Sequence, residues 1–152
     1  MTYTQIGDIT ALKAESFKVW AKIDEGNDEV VALALREAAL RIQEYTNIAL
    51  IPCTIMQTPT TSSTIRMMLP IGNVLSVIDG KGNDCDFTFN RFTFDFKYSG
   101  KIEKVQIEYT TAPEPAQVER MLIPVWELAL AIYDGNTEEQ NRVINRLPLE
   151  IC

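Results

Sequence analysis

The side chains able to do chemistry are few, and their spacing suits little of it. Cys53, Cys85 and Cys152 stand far apart and form no Cys-x-x-Cys pair. Odd in number, they read as free thiols of a reducing cytosol rather than a disulfide framework. Neither Cys53 nor Cys85 has a histidine or lysine base beside it. Each is either a small core residue or, against its surroundings, a reactive thiol. The chain has no histidine, so the usual neutral-pH proton shuttle and the commonest metal ligand are both missing. Gly80-Lys81-Gly82 lacks the leading glycine of a phosphate loop and reads as a hairpin turn. Asp79, Asn83, Asp84 and Asp86 could offer oxygens to a hard cation, but not in the order of a calcium loop. Asp24-Glu25 and Glu138-Glu139 sit beside turns and caps, where solvated charge is the ordinary role. The expectation is a protein with no catalytic, cofactor-binding or metal-ligating residues, and not an enzyme.

Length and charge set further bounds. At 152 residues the chain is one domain in length, and a domain of that size buries roughly 70% of its unfolded surface. The net charge is −7, from 14 basic and 21 acidic residues. An acidic domain is a poor general binder of nucleic acid, because phosphate repels it and few counterions are released. Residues 1–50 carry eight acids and five bases, residues 51–112 six of each, and residues 113–152 seven acids and three bases. The acidic excess therefore lies at both ends, and the middle is neutral. No secretory signal is expected from Met1-Thr2-Tyr3-Thr4-Gln5, which has neither a basic nor an apolar region. The longest uncharged run, Tyr45 to Ile65, holds Pro52, Pro59 and a Thr/Ser cluster, which excludes a membrane helix.

Those charge zones coincide with a change of periodicity. Ile9, Leu12, Phe17 and Trp20 predict a first helix, capped by Asp8 or Thr10. Val31, Leu35, Ala38, Ile42 and Tyr45 fall at spacings of three and four, predicting a long helix from about Asp28 to Tyr45. Its run Ala32-Leu33-Ala34-Leu35 is apolar on more than one side, which suggests two neighbours, one of them another subunit. Residues 51–112 turn to period two with β-branched and aromatic residues. Strands are expected at Thr54–Gln57, Ile65–Leu69, Val74–Ile78, Asp86–Phe89, Phe92–Tyr98 and Ile102–Tyr109, with Asn90-Arg91 as a hairpin link. Phe92, Phe94, Phe96 and Tyr98 would then share one face, as sheet core or as an exposed binding surface. Thr58 to Thr64 reads as a loop. Val118, Met121, Leu122, Val125, Leu128, Ala129 and Ile132 predict a second long helix, with a kink or a late start at Pro124. Leu122, Val125, Leu128 and Ile132 form its core face. Thr137 to Gln140 is a capping-box pattern opening a short last helix.

The result is an α+β domain: two long amphipathic helices, short N- and C-terminal helices, and a small antiparallel β-rich insertion in the middle. Residues 1–50 are helical, 51–112 β-rich, 113–146 helical and 147–152 an apolar tail.

Four stretches then carry a resemblance. Asp8-Ile9-Thr10-Ala11-Leu12-Lys13 opens the chain. Leu40-Arg41-Ile42-Gln43-Glu44-Tyr45-Thr46-Asn47 ends the long helix. Leu69-Pro70-Ile71-Gly72-Asn73-Val74-Leu75-Ser76-Val77-Ile78-Asp79 enters a strand. Val105-Gln106-Ile107-Glu108-Tyr109-Thr110-Thr111-Ala112, followed by Pro115 and a helix to Tyr133, closes the domain. In this order they resemble the head–tail connector (adaptor) proteins of long-tailed bacteriophages and prophages. The sequence departs from that pattern at Pro113, where the family usually has glycine, and at Asp134-Gly135-Asn136.

The resemblance implies a structural virion protein, made in the bacterial host cytoplasm and placed at the virion neck. It implies a homo-oligomeric ring of about twelve subunits between the portal protein and the next neck or tail protein. DNA would pass through the ring without sequence-specific binding, and no membrane would be involved. Portal docking is expected from Thr137 to Ile151, with Arg142 and Arg146 as polar contacts and Leu147, Leu149 and Ile151 as apolar anchors. The competing expectation is a soluble monomeric interaction or regulatory module that binds a peptide or small ligand on an aromatic sheet face.

Overall fold

The computed structural model describes residues 1–24, 26–59, 65–99 and 105–147. Strand β1 (Thr2–Ile6) leads into a single 3-10 turn (Thr10–Leu12), then helices α1 (Ala14–Ala21) and α2 (Asp28–Thr46). Strands β2 (Cys53–Gln57), β3 (Ile71–Ile78), β4 (Phe87–Thr88), β5 (Lys97–Tyr98) and β6 (Gln106–Thr111) follow. Helices α3 (Pro115–Tyr133) and α4 (Thr137–Asn145) come last. The fold is α+β, with an antiparallel sheet of order β1-β2-β6-β3 beside a separate β4-β5 hairpin.

The sheet is not confined to the middle of the chain. β1 pairs antiparallel with β2, matching Tyr3 to Ile55 and Ile6 to Cys53. This N-terminal strand was not expected, because five residues with alternating half-burial carry little apolar signal. Gly7 follows it closely: its N–H donates to Pro52 O at 2.7 Å, and a Cβ at Gly7 would meet that same oxygen at 2.5 Å. Only glycine lets the strand end lie against the chain entering β2.

The first predicted helix splits in two. Lys13, at φ 55°, stands between the 3-10 turn and α1, and Asp8 caps the turn by accepting the Thr10 N–H at 3.1 Å. α2 matches its predicted span to within a residue. Its buried stripe is Val31, Leu35, Ala38, Ala39, Ile42, Gln43 and Thr46. Tyr45 does not join it and is 41% exposed. The stripe advances from Ala38 to Ile42 to Thr46 in steps of four, and Tyr45 falls about 100° off that last step.

α3 begins at Pro115 and runs without a break through Pro124, so the late start is corrected. Proline suits the first helical turn, where its missing N–H has no partner to lose. Val118, Met121, Leu122, Val125, Leu128 and Ala129 are buried, and Ile132 is half-buried against the same core. At its end Gly135 (φ 68°) sends its N–H to Ile132 O, and Asn136 sends its own to Ala131 O. That pair of bonds is a Schellman stop. Asn136, not Thr137, then caps α4 by accepting the Glu139 N–H at 3.1 Å.

The β-rich middle departs further. Residues 65–68 form no strand; Leu69 makes only a single parallel bridge to Ile48. Phe92–Tyr98 is not one strand. Only Lys97 and Tyr98 pair, with Thr88 and Phe87, and Asn90-Arg91 is part of an eight-residue connection rather than a tight hairpin link. The four aromatics therefore do not share a face: Phe96 is buried, Phe94 and Tyr98 half-buried, and Phe92 exposed. Alternation cannot persist where no neighbouring strand holds the backbone extended. Phe96 packs instead against Phe87, Phe89 and Tyr98 at ring-centroid distances of 6.0–6.4 Å.

Helices and sheet meet at Gln43. Its Oε1 accepts the N–H groups of Leu50 and Ile51 at 3.0 and 3.3 Å, and its Nε2 donates to the Tyr3 hydroxyl at 3.1 Å. One buried amide thus satisfies backbone donors in the turn after α2 and ties β1 to the helix. Tyr109, fully buried on β6, accepts the Met68 N–H at 2.9 Å and donates to Gln57.

Candidate functional site

The groups that could react are occupied or inert. Burial pushes the Cys53 thiol up, and burial together with the nearby Asp79, Asp84 and Asp86 pushes the Cys85 thiol up. Neither is set to be a thiolate nucleophile. Asp79 accepts the N–H groups of Lys81 and Asn83 at 2.8 and 3.0 Å, bonds that hold its carboxyl below the usual range. It shapes its own turn. Among the described residues no three Cys, Asp or Glu side chains converge to hold a metal ion. Lys18, buried at the α1–α2 junction, binds Asp28 at 2.6 Å and Glu15 at 3.2 Å, and those two carboxylates raise its pKa.

The residues proposed for docking are partly spoken for. Arg142 pairs with Glu139 at 2.7 Å, and Arg146 with Glu127 at 2.9 Å. Both arginine side chains remain more than half exposed, so these bridges contribute only about 0–1 kcal/mol and can exchange partners. Leu147 is corrected. It is 6% exposed and belongs to the core, since the turn after α4 folds it back beneath the helix with its N–H on Ile144 O. Leu149 and Ile151 lie outside the described residues.

What the surface offers is apolar. Val19 is 81% and Leu33 63% exposed, and Trp20, Val30 and Ile123 are about half exposed. Trp20 packs at 5.7 Å, tilted by 45°, against Trp126, one turn after Ile123 on α3, and Trp126 Nε1 donates to Leu12 O at 2.9 Å. α1 and α3 thus present one apolar knob. Glu29, Ala32, Leu33 and Arg36 form an i, i+3, i+4, i+7 stripe of α2. With Gly7, Asp8 and Ile9 they line an open groove of about 550 Å³. Sequence reasoning found the second apolar side of α2 through Leu33. The knob was not legible, because Trp20 reads as a core position at helical spacing with Ile9, Leu12 and Phe17. A smaller cavity of about 200 Å³ lies between Asn47, Leu69, Phe92 and Gln117.

No protein-family model matches this chain, and no curated protein sequence matches it. Its fold is similar to that of chains in solved gene transfer agent particles. A chain in the virion of a native particle aligns with a TM-score of 0.60 at 17% identity, over 95% of this chain and 93% of that one. A chain in the neck of a native particle computed with C12 symmetry aligns at 0.57 and 18%, over 96% and 94%. A chain in the neck of an empty particle computed with C6 symmetry aligns at 0.57 and 18%, over 88% and 84%. At these identities the likeness is one of fold.

Proposed function

We propose that this chain is a non-enzymatic structural subunit of the neck of a tailed-phage-like particle. It assembles with copies of itself into a ring of about twelve between portal and tail. The supporting observation is coverage: the alignment to a neck chain of a C12 particle takes in more than nine-tenths of both chains. The likeness therefore includes the sheet, both long helices and α4, not one common motif. Two unlike apolar surfaces on one monomer suit a head-to-tail ring. The net charge of −7 suits a channel wall that DNA must slide past. The aromatic face that would favour a peptide-binding monomer does not form among the described residues: Phe92 points to solvent, Phe94 lies under Arg66, and only Phe96 and Tyr98 pack on each other.

Portal docking through α4 remains part of this reading, with Arg142 and Arg146 as exchangeable charges and Leu149 and Ile151 as anchors; Leu147 serves the core. The test is co-expression with the proteins encoded by neighbouring genes, followed by imaging of the purified assembly. A ring containing this chain is expected, and deleting residues 148–152 should release it from the portal. A chain that stays monomeric alone and with every neighbour overturns the proposal.

A further inference from the structure

We infer that the α1–α3 knob of one copy seats in the α2 groove of the next, which makes these two surfaces the two halves of one subunit contact. The inference rests on the neck-ring reading and adds which faces meet.

The two surfaces are unlike. The knob is built by Val19, Trp20 and Ile123, and the groove by Leu33, Ala32 and Ile9. Exposing this much aliphatic and indole surface is unfavourable in a free monomer, and apolar patches rimmed by charge mark protein contacts. An open groove of about 550 Å³ is wide enough for the side chains of one helix end.

Charge gives the occupant. Lys22 and Asp24 follow the knob directly at the end of α1, and both are exposed. The groove is edged by Glu29, Asp8 and Arg36, also exposed. Among the described residues, Lys22, Asp24, Glu29 and Arg36 make no ion pair within their own chain, which leaves them available to a partner. Each surface therefore carries both signs, and seating the knob sets Lys22 toward Glu29 and Asp24 toward Arg36. A basic partner would leave Arg36 opposed, and an acidic one would leave Glu29 and Asp8 opposed. A second copy of this chain answers both. Such rim charges fix register and orientation more than they add affinity.

The contact is tested with one break on each side, Val19→Asp for the knob and Leu33→Asp for the groove. Both positions are exposed, so each variant should melt at the wild-type temperature. Sedimentation and imaging then read assembly of the full chain, alone and with its neck partners. Wild type should form rings, and each single variant should assemble at least ten-fold more weakly. A mixture of the two variants has one intact knob and one intact groove. It should give a species of twice the 17.2 kDa monomer mass and no ring. Exchanging charges, Lys22→Glu with Glu29→Lys, should restore assembly that either change alone weakens.

Rings formed undiminished by either aspartate variant overturn this contact and leave the neck reading standing. Rings lost in both variants but no dimer in the mixture overturn the knob-to-groove pairing. A wild type that never assembles, alone or with partners, overturns the neck reading and this contact with it.

Discussion

Tyr109 and Tyr98 show how differently two parts of this molecule treat the same side chain. Tyr109 stands at the helix–sheet junction with its hydroxyl accepting from Met68 and donating to Gln57. Tyr98 stands in the β4-β5 hairpin, where its hydroxyl is buried and has no hydrogen-bond partner among the described residues. The buried polar groups of Gln43 and Tyr109 each have hydrogen-bond partners. The hairpin is held by ring packing around Phe96 and by a few backbone bonds, such as Cys85 N–H to Val77 O at 2.8 Å. The difference separates what fixes the domain from what is propped against it: satisfied buried polar groups specify geometry, and aromatic contact alone tolerates variation.

Gln43→Ala should break the junction hardest. It strands two buried N–H groups and opens a void, a cost of about 3 kcal/mol or more, read as a fall in the denaturant midpoint. Phe96→Ala should cost about 3 kcal/mol by cavity formation, and hydrogen exchange should place the loss in the hairpin, at the amides of Cys85 and Ser99, with the junction amides still protected. An even loss across both regions would erase the distinction. Tyr109→Phe should cost about 1–3 kcal/mol, because the Met68 N–H is left unpaired. Tyr98→Phe should be neutral or stabilising by up to about 1 kcal/mol, since it removes a buried hydroxyl with nothing to bond. A loss at Tyr98 equal to that at Tyr109 would refute the contrast.

Alkali should act on the junction as well. Burial raises the pKa of Tyr109 and Tyr3, and the paired carboxylates raise that of Lys18. Groups with raised folded pKa values stabilise fully below their unfolded values, about 10 for tyrosine and 10.4 for lysine, and lose that contribution above them. The melting temperature should therefore fall above about pH 10, and ultraviolet titration should find Tyr3 and Tyr109 ionising only as the chain unfolds, with Tyr98 also shifted upward by burial.

The same contrast explains what the sequence made legible. α2 was readable almost to the residue, because nineteen residues of helical period leave one solution, whereas α3 was readable in its buried face and its end but not in its start, which Pro124 obscured. β2, β3 and β6 were readable from β-branched alternation, though only roughly at their ends. The hairpin was not: Phe92 to Tyr98 has the alternation of a strand, and only tertiary pairing decides whether a strand forms. β1 was invisible because its value lies in its partner, Ile55 and Cys53, some fifty positions away. At the candidate contact, Leu33 announced itself as an extra apolar stripe. Val19 did not, because a sequence gives helical spacing but not which stripe the neighbouring helix covers. Leu147 failed for the opposite reason, an apolar residue near the chain end that the turn after α4 carries inward.

The strand order carries a consequence for how the protein is made. β2 must pair on one side with β1, which it follows by about fifty residues, and on the other with β6, which it precedes by about as many. During synthesis, α1 and α2 emerge long before β6 and α3 exist to cover them. Val31, Leu35, Ala38 and Ile42 must wait in water until Thr111 and the helix beyond it have left the ribosome. Contacts this distant in sequence form slowly, and the apolar surface exposed meanwhile invites chance association. Nascent chains of this protein should therefore depend on chaperone shielding late in translation, and slowing elongation before residue 111 should lower the soluble yield.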